Sequence, residues 1–175
     1  KRGGGTRVGE KMADERITLF SDPADPDLLA QPFDNDGLPV GRNVWIENGV
    51  LKKLAYSRFW AQKQGVQPTG GGSGGGGFGG GTPGGLKMSG GTRSLDALIA
   101  GCQRGVLVTH FFYTNVLDPR SVLMTGLTRD GLWLIENGKI TRSLKNFRWN
   151  ESPLIMLNKI EDLGRPERTG VGSRM

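Results

Sequence analysis

The sequence of 175 residues has few of the side chains that most often carry metal or nucleophilic chemistry, since it contains one histidine and one cysteine. The single cysteine, Cys102, excludes an intrachain disulfide and favours a reducing compartment. No stretch approaches the ~20 apolar residues of a membrane-spanning helix, and no segment resembles a signal peptide. We therefore predict a cytoplasmic protein that does not enter a membrane.

Apolar residues make up 35% of the chain, and glycine accounts for this low share. The sequence has 30 glycines, far above the usual share of about 7%, and many of them lie in the run 70–85. This run has almost no side chains to offset the entropy lost on ordering, so we predict a flexible loop between strands. A phosphate-binding loop would need a strand before the run and a Lys-Ser/Thr helix start after it, and residues 84–88 supply neither.

The net charge of +6 makes nucleic acid or an acidic partner worth considering. The basic residues are nonetheless scattered, with no block of like charge and no known nucleic-acid motif. They fall into two loose groups. Lys52, Lys53, Arg58 and Lys63 follow residues 46–49, and Arg142, Lys145 and Arg148 follow residues 135–138. Solvated strand faces explain such charges, so we predict no specific nucleic-acid binding.

The tetrapeptide Ile-Glu-Asn-Gly occurs twice, at residues 46–49 and 135–138, each time after a tryptophan and before a stretch with alternating apolar residues. Asn-Gly supplies the two positive-φ residues of a type I′ turn, whose twist matches that of the flanking strands. The sequence therefore predicts two β-hairpins, one at residues 42–56 and one around residues 133–144.

Three segments begin or end with residues typical of helix termini. Residues 57–64 precede Gly65, residues 94–102 begin at a serine and are expected to end by Gly105, and residues 152–164 have proline in the first turn and a terminal glycine. These features predict three short helices.

Strands are predicted at residues 16–20, 106–113 and 121–127, because β-branched and aromatic residues are frequent there, and residues 129–131 are predicted to form a turn. The whole pattern predicts a single α+β domain over residues 1–175. Its main feature would be an antiparallel, barrel-like β-sheet with a few short docked helices.

The reactive residues give no pattern of an active site. Alternation in its strand places His110 with Val106, Val108 and Phe112, where a core or interface histidine is the better interpretation. Cys102 ends an amphipathic helix, which favours a small buried apolar residue. No ligand spacing brings His110 and Cys102 together in a metal site.

Two pairs of carboxylate residues are the other candidates for a catalytic role. Asp34 with Asp36, and Glu161 with Asp162, fall in turns or at a helix end, where nothing nearby provides the desolvation that separates the pKa values of a catalytic pair. We therefore predict no catalytic, cofactor-binding or metal-binding residue in this chain.

An ordered series of short motifs nevertheless covers nearly the whole chain. It comprises Pro-Phe-Asp-Asn-Asp-Gly-Leu-Pro at 32–39, Val-Trp-Ile-Glu-Asn-Gly-Val-Leu-Lys at 44–52, residues 56–65, Ser-Leu-Asp-Ala-Leu-Ile at 94–99, Gly-Val-Leu-Val-Thr at 105–109 and Leu-Ile-Glu-Asn-Gly at 134–138. In this order the motifs resemble the C-terminal region of the TldD/PmbA family.

The resemblance implies a β-rich C-terminal domain that follows an N-terminal α/β domain. Proteins of this kind are similar to cytoplasmic metalloproteases that pair a TldD-type with a PmbA-type subunit and cut unfolded peptides. In the TldD branch, a His-Glu-x-x-x-His helix and a cysteine near the C-terminus hold zinc, which activates a water. We accordingly expect this chain to belong to a longer protein and to an oligomer.

The sequence departs from the catalytic branch of that family. It has no His-Glu-x-x-x-His and no cysteine after residue 163. The amino-acid sequence at residues 21–23 and 32–34 resembles that of the PmbA branch. We therefore predict the non-catalytic or partner half of a metalloprotease involved in peptide processing, with no cofactor of its own. Its partners would be a TldD-type or PmbA-type subunit and unfolded peptide. The alternative is a structural module for subunit assembly that does not contact substrate.

Overall fold

The computed structural model describes residues 5–27, 31–34, 36–70 and 86–167. The chain divides into two compact units, which are described separately. Unit 1 comprises Lys1–Ser89 with Glu167–Met175, and unit 2 comprises Gly90–Pro166. The predicted glycine-rich loop lies outside the described residues, apart from Gly70. The assignment of residues 1–175 to one domain stays a prediction.

Unit 1 contains a four-stranded antiparallel sheet in the order β3-β2-β1-β4. The strands are β1 (Leu19–Ser21), β2 (Asn43–Glu47), β3 (Val50–Leu51) and β4 (Leu86–Met88), and helix α1 spans Arg58–Gln64. Helix α1 follows the prediction closely, because the Ser57 side chain accepts a hydrogen bond from the Trp60 amide and Gly65 ends the helix at a φ of 66°.

Unit 2 is built on two long strands, β5 (Arg104–Asp118) and β6 (Leu123–Glu136). Strand β6 pairs with β5 on one side, and on the other side it pairs with β7 (Lys139–Ser143) and β8 (Arg148–Glu151). Two short helices, α2 (Leu95–Gly101) and α3 (Pro153–Met156), complete the unit. The predicted α+β class is confirmed, and among the described residues the sheets are open rather than closed into a barrel. No helix in this part of the chain is long and apolar enough to span a bilayer.

Both predicted hairpins are present. Asn48 and Gly49 have φ angles of 48° and 77°, and Asn137 and Gly138 have 49° and 75°. Each pair therefore occupies the left-handed region that a type I′ turn requires. The first turn joins β2 to β3 and the second joins β6 to β7.

Two predicted boundaries in unit 2 are wrong. Gly105 does not end α2, because the helix stops at Gly101 and β5 already begins at Arg104. The predicted turn at residues 129–131 is a bulge inside β6, since His110 pairs with Arg129 and Val108 pairs with Leu132. The bulge adds one residue to β6. Apolar residues of the two strands therefore remain paired on both sides of the bulge, as Val108 with Leu132 and Phe112 with Leu127.

Helix α3 is also much shorter than predicted. It ends at Met156, and Asp162 instead forms an ion pair with Arg93 while Gly164 makes a parallel bridge with the same residue. Ser152 does not cap the helix, because its hydroxyl donates to the carbonyl of Ser121 at 2.8 Å. Tertiary contacts therefore override the helical pattern after the first turn.

The buried apolar side chains are few among the described residues of both units. In the described part of unit 1 they are Ala13, Ile17, Trp45 and Ala61, and the Trp45 indole donates to the buried hydroxyl of Ser21 at 3.0 Å. In the described part of unit 2 they are Leu132 and Ile135. Many large apolar side chains remain exposed, and such surfaces are typical of proteins that bind partners.

Acid is expected to weaken unit 1 through Asp14. The guanidinium and amide of Arg16 donate to this carboxylate, and these bonds lower the pKa of Asp14 from 3.8 to about 2. A lowered pKa in the folded state stabilises the fold above pH ~4, and that contribution disappears as the pH falls towards 2. We therefore expect Asp14→Asn to lose less stability than wild type between pH 5 and 2 in urea titrations. Glu15→Gln is the control, and the same pH dependence in Asp14→Asn and wild type would contradict the assignment.

Candidate functional site

The only histidine lies on β5 and is bound to a carboxylate. The Nδ1 atom of His110 is 2.5 Å from Oδ2 of Asp130, and the two side chains are 36% and 59% exposed. The ring of Phe112, two residues along the same strand face, meets the imidazole edge-on at 6.1 Å between centroids. His110 is therefore a partly exposed sheet residue with one nitrogen already engaged, rather than a core histidine.

The bulge in β6 explains how Asp130 reaches His110. Asp130 has a φ of 65° and Gly131 a φ of 145°, and the Thr109 hydroxyl on the facing strand bonds to the Gly131 carbonyl at 2.9 Å. This conformation turns the Asp130 side chain towards the face that carries His110. Sequence analysis missed the pair because Asp130-Gly131 also matches a turn, and no local signal distinguishes a turn from a bulge.

Cys102 is separate from this pair in the fold. It is the C-terminal cap of α2, and its sulfur lies 2.7 Å from the place where a Cβ on Gly105 would stand. The thiol thus packs against the first residues of β5, which agrees with a small, partly buried side chain. Within residues 5–27, 31–34, 36–70 and 86–167, no group of three His, Cys, Asp or Glu side chains is placed to hold a metal ion.

At least one carboxylate of each predicted pair has a structural partner. Asp34 accepts from the amides of Asp36 and Leu38 at 3.0 and 2.8 Å, which closes a surface turn. Asp162 is ion-paired with Arg93. These contacts use the carboxylates to fix loops, and the prediction that they have no catalytic role stays a prediction.

The strand edges of unit 2 are the feature best suited to binding an extended chain. Strand β5 pairs with β6 alone among the described residues, and its first five residues, Arg104 to Val108, have a regular register with β6. Beyond Val108 the register shifts three times, which twists the edge and disfavours further pairing. The segment from Arg104 to Val108 is therefore the edge most open to an added strand.

The opposite edge of the sheet is formed by β7 and β8, and the five residues of β7 are all exposed. Lys139 and Arg142 lie on this strand, and cations at an edge oppose indiscriminate strand pairing. The two edges thus differ in chemistry, since β5 begins with a regular apolar stretch and β7 carries charge.

A separate apolar patch lies on α1 in unit 1. Phe59 is 65% exposed and packs edge-to-face on Trp60 at 5.3 Å, while the Lys63 ammonium lies 5.0 Å from the indole centre. The side chains of Phe59 and Lys63 therefore both contact Trp60 on α1. Exposed aromatic residues of this kind are frequent at protein interfaces.

Comparison with known proteins gives a family match over nearly the whole chain. The model of the PmbA/TldA metallopeptidase C-terminal domain matches residues 5–175. A metalloprotease TldD homolog from Buchnera aphidicola subsp. Acyrthosiphon pisum is 30% identical over 160 residues, and a metalloprotease from Methanothermobacter thermautotrophicus is 26% identical over 167 residues. These alignments include 90% and 95% of this chain but only 33% and 36% of the respective relatives.

Solved structures match the fold as well. TldE from Thermococcus kodakarensis superimposes with a TM-score of 0.74 at 30% identity, covering 91% of this chain and 36% of that protein. A putative modulator of a DNA gyrase from Thermotoga maritima gives a TM-score of 0.73 at 27% identity, again with 91% and 36% coverage. The chain therefore spans about a third of the length of its relatives.

Proposed function

The chain belongs to the family of PmbA/TldA metallopeptidase C-terminal domains, and from this we propose that it is the non-catalytic or partner half of a cytoplasmic metalloprotease that processes peptides. The observation that carries the proposal is the family match over residues 5–175, with relatives named as metalloproteases. The placement in the PmbA branch belongs to the same proposal.

The proposed non-catalytic role is supported by the positions of the histidine and the cysteine, which are the side chains best suited to bind zinc. A zinc site needs three or four ligands at ~2.0–2.3 Å. His110 has its Nδ1 bound to Asp130, and Cys102 packs at the end of α2. These described residues do not fit the zinc centre of the catalytic branch, so any zinc chemistry would come from outside them.

Peptide binding would use the edge of β5 between Arg104 and Val108. An extended peptide that adds to a strand edge needs backbone hydrogen bonds, so the edge requires no catalytic side chain. The regular register of this segment with β6 supports its use as the template strand.

The alternative is a module for subunit assembly that does not contact peptide. It is favoured by the exposed apolar residues on α1, where Phe59 and Trp60 form a ready contact surface. In both readings the partner is a TldD-type or PmbA-type subunit. The two differ in whether peptide binds to this chain when the partner is absent.

Zinc titration with a digestion assay tests the proposed role. We expect the purified chain to show no submicromolar zinc binding by isothermal titration and no cleavage of unfolded casein, because the residues that the structure describes do not bring three ligands together. Addition of a TldD-type subunit is expected to give zinc-dependent cleavage. Submicromolar zinc affinity that His110→Ala abolishes would refute the proposal, and Asp130→Asn is the matched control for disturbance of the His110 surroundings.

A further inference from the structure

One face of the sheet in unit 2 gathers cationic side chains around apolar ones. The strand register places His110 opposite Arg129, and Phe112 opposite Leu127, which in turn lies opposite Arg148. Paired residues in antiparallel strands project from the same face. The basic face is therefore defined by His110, Phe112, Leu127, Arg129 and Arg148, and the Asp130 carboxylate lies beside His110 at its border.

Arg129 is held flat against this face. Its guanidinium carbon lies 4.1 Å from the centre of the Phe112 ring, a distance at which the cation is attracted by the aromatic face. Its nearest carboxylate oxygen, on Asp130, is 3.6 Å away, and Asp130 also binds His110. The N–H groups at the edge of the stacked guanidinium therefore remain available to a hydrogen-bond acceptor on a ligand.

Arg148 is anchored by a different contact on the same side. One of its terminal nitrogens donates to the Thr125 hydroxyl at 3.2 Å, and Thr125 lies two residues before Leu127 on β6. No ion pair involves Arg148 within the part of the chain that the structure describes. A guanidinium has five donors, and Arg148 is exposed, so most of its donors remain available to a ligand.

The spacing of the two arginines selects an extended acidic ligand. Arg129 and Arg148 are diagonal neighbours across β6 and β8, and the backbone positions of such neighbours are about 7–8 Å apart. In an extended chain, side chains two residues apart lie on one side and are separated by about 7 Å. Two carboxylates in the pattern acidic-x-acidic therefore match the backbone spacing of the two arginines.

The rest of the face restricts the ligand further. Leu127 lies between the two arginines and is half-buried, so a flanking apolar side chain of the ligand would cover it. A single nucleic-acid strand is disfavoured, because the aromatic ring on which a base would stack is already covered by Arg129. Positive charge with an apolar centre is complementary to an acidic segment with apolar flanks.

We propose that the basic face binds an extended protein segment in which two carboxylates, two residues apart, are flanked by apolar side chains. The binding is distinct from strand addition at the β5 edge, since it uses side chains on the sheet face rather than backbone groups at an edge. It requires neither zinc nor peptide cleavage, so it goes beyond the proposed function and can stand if that function fails.

Fluorescence anisotropy with a labelled peptide Leu-Glu-Ser-Glu-Leu tests this at about 50 mM salt, with Leu-Gln-Ser-Gln-Leu as the uncharged control. We expect Arg148→Gln and Arg129→Gln each to weaken binding of the acidic peptide about tenfold, because each removes one charged pair. Arg148→Lys should give an intermediate loss, since it keeps the charge but not the fork of donors. Arg120→Gln, at an exposed cation in the turn before β6, should change binding less than about twofold.

Several results would overturn the proposal. They are equal binding of the two peptides, an equal effect of Arg120→Gln, and tighter binding of an oligothymidine that competes for the same arginines. Circular dichroism checks that each variant is folded. If Arg148→Gln is unfolded, Arg129→Gln and Arg148→Lys decide the outcome.

Discussion

Replacement of Gly49 by valine is expected to destabilise unit 1 by about 2–6 kcal/mol. Gly49 has a φ of 77°, a conformation that costs a β-branched residue about 1–3 kcal/mol. A Cβ at this position would also collide with the carbonyl oxygens of Ala13 and Asp14, which belong to the backbone and cannot rotate away. Overpacking of this kind adds about 1–3 kcal/mol.

The backbone of Gly49 makes the collision hard to relieve. Its amide donates to Ile17 at 2.8 Å, and its carbonyl accepts from Met12 at 2.7 Å and from Ala13 at 3.1 Å. Because these bonds hold the segment before β1 against the hairpin, a shift of Gly49 would break several of them at once. The turn thus joins sequence positions more than thirty residues apart, which a hairpin alone would not predict.

Urea denaturation of alanine and valine variants separates conformational strain from collision. Gly65 is the matched control, because its φ is 66° but nothing lies within 4 Å of the position of its Cβ. Gly65→Ala should cost about 1 kcal/mol, as expected for strain alone, and Gly49→Ala should cost clearly more. Equal losses would show that the contact with residues 13 and 14 is absent in solution.

The second hairpin provides an independent repeat of the same test. A Cβ on Gly138 would lie 2.6 Å from the carbonyl oxygen of Ala100 at the end of α2, and Gly138 has a φ of 75°. We expect Gly138→Val to destabilise unit 2 for the same two reasons. In both hairpins the turn requires glycine for two reasons. The φ angle is positive, and a neighbouring backbone carbonyl leaves no space for a Cβ.

Features governed by local chemistry were predictable from the sequence. Asn48-Gly49 and Asn137-Gly138 form the expected turns because their conformational preference is intrinsic. Ser57 and Gly65 delimit α1 as expected, since the capping hydrogen bonds involve residues three or four positions apart. These elements needed no knowledge of the rest of the fold.

Features that depend on distant residues were not predictable. Strand β8 exists because residues 148–151 pair with β6, and β4 exists because it pairs with β1. The basic face was missed for the same reason, because Arg129 and Arg148 are neighbours only after β6 and β8 pair. In the sequence their charges are scattered, and the scatter favoured the interpretation of solvated strand faces.

Leu132→Ala is expected to destabilise unit 2 by about 2–4 kcal/mol. Leu132 is 1% exposed and is one of the two buried apolar side chains in the described part of this unit, and truncation of such a leucine removes transfer energy and leaves a cavity. Val106→Ala is the control on β5, since Val106 is 41% exposed and should cost less than about 1 kcal/mol.

Hydrogen exchange of the β5 and β6 amides measures the effect in unit 2 itself. Leu132 lies directly after the bulge that carries Asp130, opposite Val108 at the end of the regular β5 edge. If its packing holds these two strands in register, Leu132→Ala should speed exchange throughout β5 and β6, whereas Val106→Ala should act only near its own site. Equal protection in both variants would mean that the ladder of strand hydrogen bonds, rather than this small core, maintains the edge on which peptide binding is proposed.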